Sequence, residues 1–220
     1  MEIQLYFTKT GSGEPLILLH GNGEDHTWFA GQIPHFAQQF SVYAVDTRGH
    51  GKSPLGNAPF TISQFADDLR DFMDEQGIEK AHVLGFSDGA NIAMLFALRC
   101  PERVRSLVLN SGNLDPSGLV PEFLEELHTA YRKIQDPHEA ALLRLMLFEP
   151  NIRPEKLRTI PAPTLVIAGN DDLISASHTR LIAQNIPNAQ LVFLKGTHVA
   201  AQDDPDAFNC AVDRFFETVK

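Results

Sequence analysis

The chain has 220 residues, 43% of them apolar, which suffices for one substantial core and is most simply one domain over residues 1–220. Its formal charge of -10, from 18 Lys and Arg against 28 Asp and Glu, repels polyphosphates, and no basic cluster offsets it, so nucleic acid is excluded as a partner. The opening MEIQLYFTKTG has an early acidic residue and no long apolar run, so neither a signal peptide nor a membrane span is expected.

Cys100 and Cys210 both fall within helical patterns and read as reduced thiols of a cytoplasmic protein. Nine histidines occur without H-E-x-x-H or comparable spacing, so no metal site is expected.

Ile3, Leu5 and Phe7 alternate with polar residues and predict an edge strand, followed by a turn at Gly11 to Glu14. Leu16 to Leu19 is an unbroken apolar run, the pattern of an inner parallel strand covered on both faces, and it ends in His20-Gly21-Asn22-Gly23. Trp28 to Phe40 predicts a helix and Ser41 to Val45 a buried strand. The polar loop Asp46-Thr47-Arg48-Gly49-His50-Gly51-Lys52-Ser53 follows. Thr61-Ile62-Ser63-Gln64 has the form of a capping box, and Phe65, Leu69, Phe72 and Met73 mark the inner face of a helix that stops at Gly77.

Ala81 to Cys100 is the stretch that carries chemistry. An apolar strand meets Gly85-Phe86-Ser87-Asp88-Gly89, and apolar residues at helical spacing follow. In G-x-S-x-G the serine occupies a turn too sharp for side chains two residues to either side, so its Oγ projects beyond the strand's carboxyl end. The backbone N–H of Asp88 then lies beside the hydroxyl, and the following helix points its positive N-terminus at the site.

Val104 to Leu109 predicts a further strand, after which the alternation breaks. Pro121 to Ile134 and Pro137 to Phe148 read as successive helices, the second capped by Asp136 with Pro137 at its first position. The second carries Leu142, Leu143, Leu145, Met146, Leu147 and Phe148. That apolar arc is too wide for one contact surface, and suits either a helix sandwiched in the core or a lid that also lines a pocket. Pro163 to Ala168 restores the sheet, with Gly169-Asn170-Asp171-Asp172 just beyond. A helix at Ser175 to Ile186, a last strand at Leu191 to Leu194, the loop Gly196-Thr197-His198 and a closing helix from Ala207 to Val219, capped by Asp204 and Pro205, complete the chain.

About seven strands alternating with helices imply an open, mostly parallel α/β sheet whose reactive residues gather beyond the strand carboxyl ends. On that rim stand Ser87, an aspartate after a late strand, and His198. A serine nucleophile needs a base that titrates near neutrality, and the base needs a carboxylate to fix its tautomer. The order Ser, Asp, His completes the pattern.

With these motifs in view, the chain resembles the small esterase, lactonase and C–C hydrolase branch of the α/β-hydrolase fold over nearly its whole length. The resemblance rests on His20-Gly21-Asn22-Gly23, Asp46-x-Arg48-Gly49-His50-Gly51-x-Ser53, Gly85-Phe86-Ser87-Asp88-Gly89, Pro163-Thr164-Leu165-Val166-Ile167-x-Gly169-x-x-Asp172 and Gly196-x-His198. It implies Asp172 as the triad acid, three residues after the glycine, with Asp171 the alternative. It also implies that the Asn22 and Asp88 backbone N–H groups form the oxyanion hole, with His20 holding the Asn22 peptide, and Arg48 and His50 pinning their loop.

Two departures narrow the expectation. The segment of about 113–160 has room only for a two-helix cap, which argues against a bulky lipid tunnel. Asp88 stands where small neutral residues or Met are common in the family. It either turns away to cap the elbow helix or meets an amine-bearing acyl substrate, and Trp28 and Met146 are the other candidate substrate contacts.

The expected activity is hydrolysis of a small-molecule ester, thioester or lactone through an acyl-enzyme, with no cofactor and no membrane partner, by a monomer or homodimer. C–C bond hydrolysis, lyase chemistry or perhydrolysis on the same triad is the first alternative. A non-enzymatic ligand receptor on this fold is the second.

Overall fold

A computed structural model describes residues 2–219. Chain order runs β1 (Phe7–Thr10), β2 (Glu14–Leu19), a 3-10 turn (His26–Phe29), α1 (Ile33–Phe36), β3 (Phe40–Val45), α2 (Ile62–Glu75), β4 (Ala81–Phe86), α3 (Asp88–Arg99) and β5 (Val104–Asn110). It continues through α4 (Pro121–Lys133), α5 (Pro137–Phe148), β6 (Thr164–Asp171), α6 (Ala176–Asn185), β7 (Gln190–Thr197), α7 (Ala200–Asp203) and α8 (Pro205–Thr218).

The strands form one 7-stranded sheet in the order β1-β3-β2-β4-β5-β6-β7. Only β1 runs antiparallel, pairing Phe7 with Val45. Period-two alternation in the central strands sends Ile17, Leu19, Val83, Leu107, Leu109 and Val166 to one face, where Phe65, Leu69, Phe72 and Met73 of α2 and Ile92 and Phe96 of α3 cover them. Leu16, Leu18, Leu84, Phe86, Val108, Leu165 and Ile167 point to the other face, under Phe29, Phe36 and the Phe208, Val212, Phe215 and Phe216 of α8. The strands are apolar on both faces because both faces are roofed. In a parallel sheet all carboxyl ends then open on one rim.

Helices α4 and α5 lie between β5 and β6 and form a third apolar cluster. Leu127 and Leu147 pack there with Leu119 and Ile174, and Leu143 and Met146 flank them. The wide arc of α5 is thus split: Leu145 and Leu147 are buried, while Phe148 is 48% exposed. Asp136 caps α5 as expected, accepting from the backbone N–H groups of His138 and Glu139.

Several local expectations are corrected. Ile3 and Leu5 are buried but precede the first strand, which begins at Phe7. The next residue is drawn to the polar loop: Tyr6 N–H donates to Ser53 Oγ at 2.8 Å and Asp46 N–H donates to the Tyr6 carbonyl at 2.9 Å. The helix expected over Trp28 to Phe40 is a 3-10 turn plus the single turn of α1, with the break at Ala30 to Gln32 between them and Pro34 inside the first turn of α1, and Phe40 already belongs to β3. Burial of Trp28, Phe29 and Phe36 produced the helical periodicity without a continuous helix. The capping box is half made. Thr61 Oγ1 accepts from Gln64 N–H at 3.1 Å, but the Gln64 side chain donates to Asp68, and Glu149 takes the N–H of Ile62.

The loop after β3 is pinned by a buried ion pair. Arg48, 1% exposed, donates from Nε and Nη2 to the two oxygens of Asp68 on α2, both at 2.7 Å. A bidentate pair in this setting fixes direction as well as distance. Asp68→Ala leaves the guanidinium buried without its main partner and should lower unfolding free energy by about 3–5 kcal/mol in urea titration; a change below 1 kcal/mol refutes the pin.

Candidate active site

The sharp turn between β4 and α3 is built by two glycines. A Cβ on Gly89 would collide with the Leu19 carbonyl oxygen at the end of β2, and a Cβ on Gly85 with the carbonyl oxygen of Gly89. Ser87 between them sits at φ 53° and ψ -116°, a strained conformation that costs about 1–3 kcal/mol and is held because the packing around it leaves no alternative. Its N–H is anchored to the Asn110 carbonyl of β5 at 2.8 Å. The hydroxyl consequently stands free at the head of α3.

His198, in the loop after β7, brings Nε2 to 3.1 Å from Ser87 Oγ. Its Nδ1 is 2.6 Å from Asp172 Oδ1, beyond β6. These three residues, 111 and 26 positions apart in the chain, form one hydrogen-bonded series. The Asp172 side chain is 2% exposed and that of His198 17%, so the acid is sealed while the imidazole reaches the cavity. Asp172 is further held by the N–H of Ile174 at 2.9 Å and the Ser111 hydroxyl at 2.6 Å. Asp171, the alternative acid, is exposed at the end of β6. An acceptor, a proton carrier and a hydroxyl in this order can generate an alkoxide-like nucleophile.

The His20 to Gly23 loop faces the hydroxyl. His20 is buried and donates Nδ1–H to the Gly21 carbonyl at 2.7 Å, while its Nε2 accepts from Thr47 N–H at 3.0 Å. This fixes the tautomer and clamps the peptide whose N–H belongs to Asn22. Burial pulls the His20 pKa down and keeps the ring neutral. Among the described residues, no protein group accepts from the backbone N–H of Asn22 or of Asp88. Both donors remain open to an oxyanion.

A cavity of about 140 Å³ lies over Ser87, with polar walls from Asn22, Glu24, Asp88 and His198 and apolar walls from Phe86, Met146, Ile174 and others. Met146 therefore lines it as expected, and α5 is both packed and pocket-forming. Trp28 does not line it: its ring stacks on Phe86 at 4.0 Å and supports that wall from behind. Asp88 does not cap its helix. Its Oδ2 accepts from Asn22 Nδ2 at 2.9 Å and its Oδ1 from Asn91 Nδ2 at 3.3 Å.

Two residues here escaped the sequence reading. Glu24 follows directly on the His20 to Gly23 motif, and its carboxylate accepts from Gly21 N–H at 3.0 Å and faces the cavity. Ser111 follows β5, and a polar residue one step past a strand's carboxyl end was the available signal. Burial raises Glu24 from 4.5 to about 7 and Asp88 from 3.8 to about 6, against the pull of their hydrogen-bond donors.

The family described as alpha/beta hydrolase fold matches residues 14–140. A 2-hydroxy-6-oxononadienedioate/2-hydroxy-6-oxononatrienedioate hydrolase of Cupriavidus pinatubonensis is 30% identical, over 97% of this chain and 91% of its own. Among solved structures, a thermophilic esterase of Thermogutta terrifontis superposes with a TM-score of 0.84 at 25% identity, over 99% of this chain and 94% of the esterase. A hydrolase of Pseudomonas aeruginosa gives 0.85 at 26%, over 97% and 94%.

The raised Glu24 pKa has a defined consequence for stability. Between pH 4.5 and about 7 the folded chain holds a proton that the unfolded chain releases, so stability falls as pH rises through that window. Glu24→Gln keeps the Gly21 contact and removes the charge. It should melt a few degrees above the parent at about pH 8, with the gain vanishing toward about pH 4.5 in thermal scans.

Proposed function

Because the chain belongs to the α/β-hydrolase fold family and is a hydrolase, we propose that it cleaves a small carboxylic ester, thioester or lactone through an acyl-enzyme formed on Ser87. The observation that carries the reading is the unbroken series from Ser87 Oγ through His198 to Asp172, at 3.1 and 2.6 Å. As the hydroxyl attacks the carbonyl carbon, its proton passes to His198 Nε2, and Asp172 stabilises the imidazolium through Nδ1. Charge that develops on the carbonyl oxygen is received by the N–H groups of Asn22 and Asp88, the first aligned by His20 and the second by the elbow. The intermediate collapses as His198 returns the proton to the leaving oxygen or sulfur. Water then repeats the sequence on the acyl group and frees Ser87.

The cavity's size favours a small substrate, and its charge favours one that is uncharged or carries an amine. Glu24 and Asp88 contribute two carboxyls, and the lining includes no Lys or Arg. The Cupriavidus relative is named for a dioate, a doubly anionic substrate that these walls would repel. C–C cleavage of such a compound is therefore the weaker reading for this chain.

Ser87→Ala should lower kcat on a p-nitrophenyl ester by about 10⁴ to 10⁶-fold with the melting temperature preserved, and the parent should be labelled at Ser87 by a fluorophosphonate probe. An unlabelled serine would favour a ligand receptor instead. Asp88→Asn should cost about 10-fold more kcat/KM on an amino-acyl ester than on a plain acyl ester of equal size; equal losses remove the amine preference.

A further inference from the structure

Ser111 stands where a serine is conformationally expensive. It follows the last residue of β5 at φ 55°, in the left-handed region that favours glycine, and its N–H is tied to the Ile167 carbonyl of β6 at 3.0 Å. Its residue is 1% exposed. Nothing in the turn demands a side chain there, because Gly112 follows immediately and a glycine at 111 would adopt the same backbone without strain. The hydroxyl must account for the residue.

That hydroxyl has three oxygens within reach: Asp172 Oδ2 at 2.6 Å, Asn110 Oδ1 at 3.1 Å and the His198 carbonyl at 3.3 Å. It has one proton to give. The shortest contact and the charged acceptor coincide at Asp172, so the proton goes there. Asn110 must then donate to Ser111 Oγ rather than accept from it, which requires its amide to be turned over. The turned amide gives the buried Asn110 Nδ2, otherwise without a partner, an acceptor in Ser111 Oγ, and leaves the carboxamide oxygen in the nitrogen's former place. The donors and acceptors then run in one direction: Asn110 amide to Ser111 hydroxyl to Asp172 carboxylate.

We propose that Ser111 is a positioning residue for the proton-transfer series, its hydroxyl holding Asp172 Oδ2, with the Asn110 amide behind it, so that Oδ1 meets His198 Nδ1. The carboxylate can rotate about its Cβ–Cγ bond. The N–H of Ile174 engages the same oxygen as His198, and Gly169 N–H reaches Oδ2 only at 3.3 Å, so Ser111 supplies the firm contact on that oxygen. The inference rests on the acyl-enzyme reading above.

The test uses the full chain and a p-nitrophenyl ester, with Ser111→Gly, Ser111→Ala and Asp172→Asn compared with the parent for kcat, KM and melting temperature. Ser111→Gly relieves the backbone and deletes the hydroxyl. It should melt at or above the parent temperature while kcat falls roughly 10- to 100-fold, with KM within about 2-fold. Ser111→Ala should lose kcat equally and melt below the glycine variant. Full kcat in Ser111→Gly, beside a collapse of kcat in Asp172→Asn, overturns the role of Ser111 alone. Retention of most activity in Asp172→Asn overturns it together with the triad on which it depends. A matched fall in kcat and melting temperature in both Ser111 variants reduces the residue to a structural one and overturns the proposal equally.

Discussion

The site depends on how closely the first turn of α3 approaches the ends of β2 and β4. Gly89 lies against the Leu19 carbonyl with no room for a Cβ, and Gly85 lies equally tight against the same turn. That approach forces Ser87 to φ 53° and lifts its hydroxyl clear of the sheet. It also sets the Asp88 peptide beside the His20 to Gly23 loop, because β2 and β4 are adjacent in register, Leu19 opposite Gly85. Strand pairing, helix docking and the nucleophile's direction are one constraint. Strain at the serine is sustained by the buried surface of the two helix-covered faces, which a polar or larger residue at either glycine would disturb.

Much of this was legible in residue order, for physical reasons that differ by region. Inner parallel strands are apolar on both faces, so Leu16 to Leu19, Ser41 to Val45 and the short run Val83-Leu84 before Gly85 announce themselves. Capping aspartates and N-terminal prolines placed α5 and α8 to within a residue or two. The edge of the sheet was less readable. Ile3 and Leu5 alternate like a strand and bury themselves against the core, but the neighbouring Tyr6 backbone serves the loop at Ser53, a pairing 47 residues distant. Between Trp28 and Phe40 the hydrophobic pattern reports which side chains go inward but not that the chain breaks around Gly31 into two separate turns.

At the site, the positions of Ser87, Asp172 and His198 on one rim followed from order and motif, while the residues that tune them did not. Glu24 and Ser111 take their significance from neighbours distant in the chain, which spacing cannot encode: Glu24 shares a cavity with Asp88, and Ser111 meets Asp172, 61 positions away. Asp88 was visible as a departure from the family, but its partners were not. Burial raises its pKa, and the neutral donors of Asn22 and Asn91 offset that only in part. The cavity is a place where negative charge is costly and hydrogen-bond donors from a guest are welcome. No membrane-crossing helix, long and apolar enough for the purpose, occurs among the described residues.

The Asn22 side chain has a further effect on what the protein tolerates. Its amide nitrogen reaches Asp88 Oδ2 at 2.9 Å and the Leu142 carbonyl of α5 at 3.0 Å, joining floor, loop and roof through one group. Lifting α5 to admit a bulkier guest strips away one of those two acceptors, and the peptide that faces Ser87 loses a tether at the same moment. Breathing of the roof and alignment of the floor are thereby mechanically joined. One carboxamide thus ties the cap helix to the loop that faces Ser87.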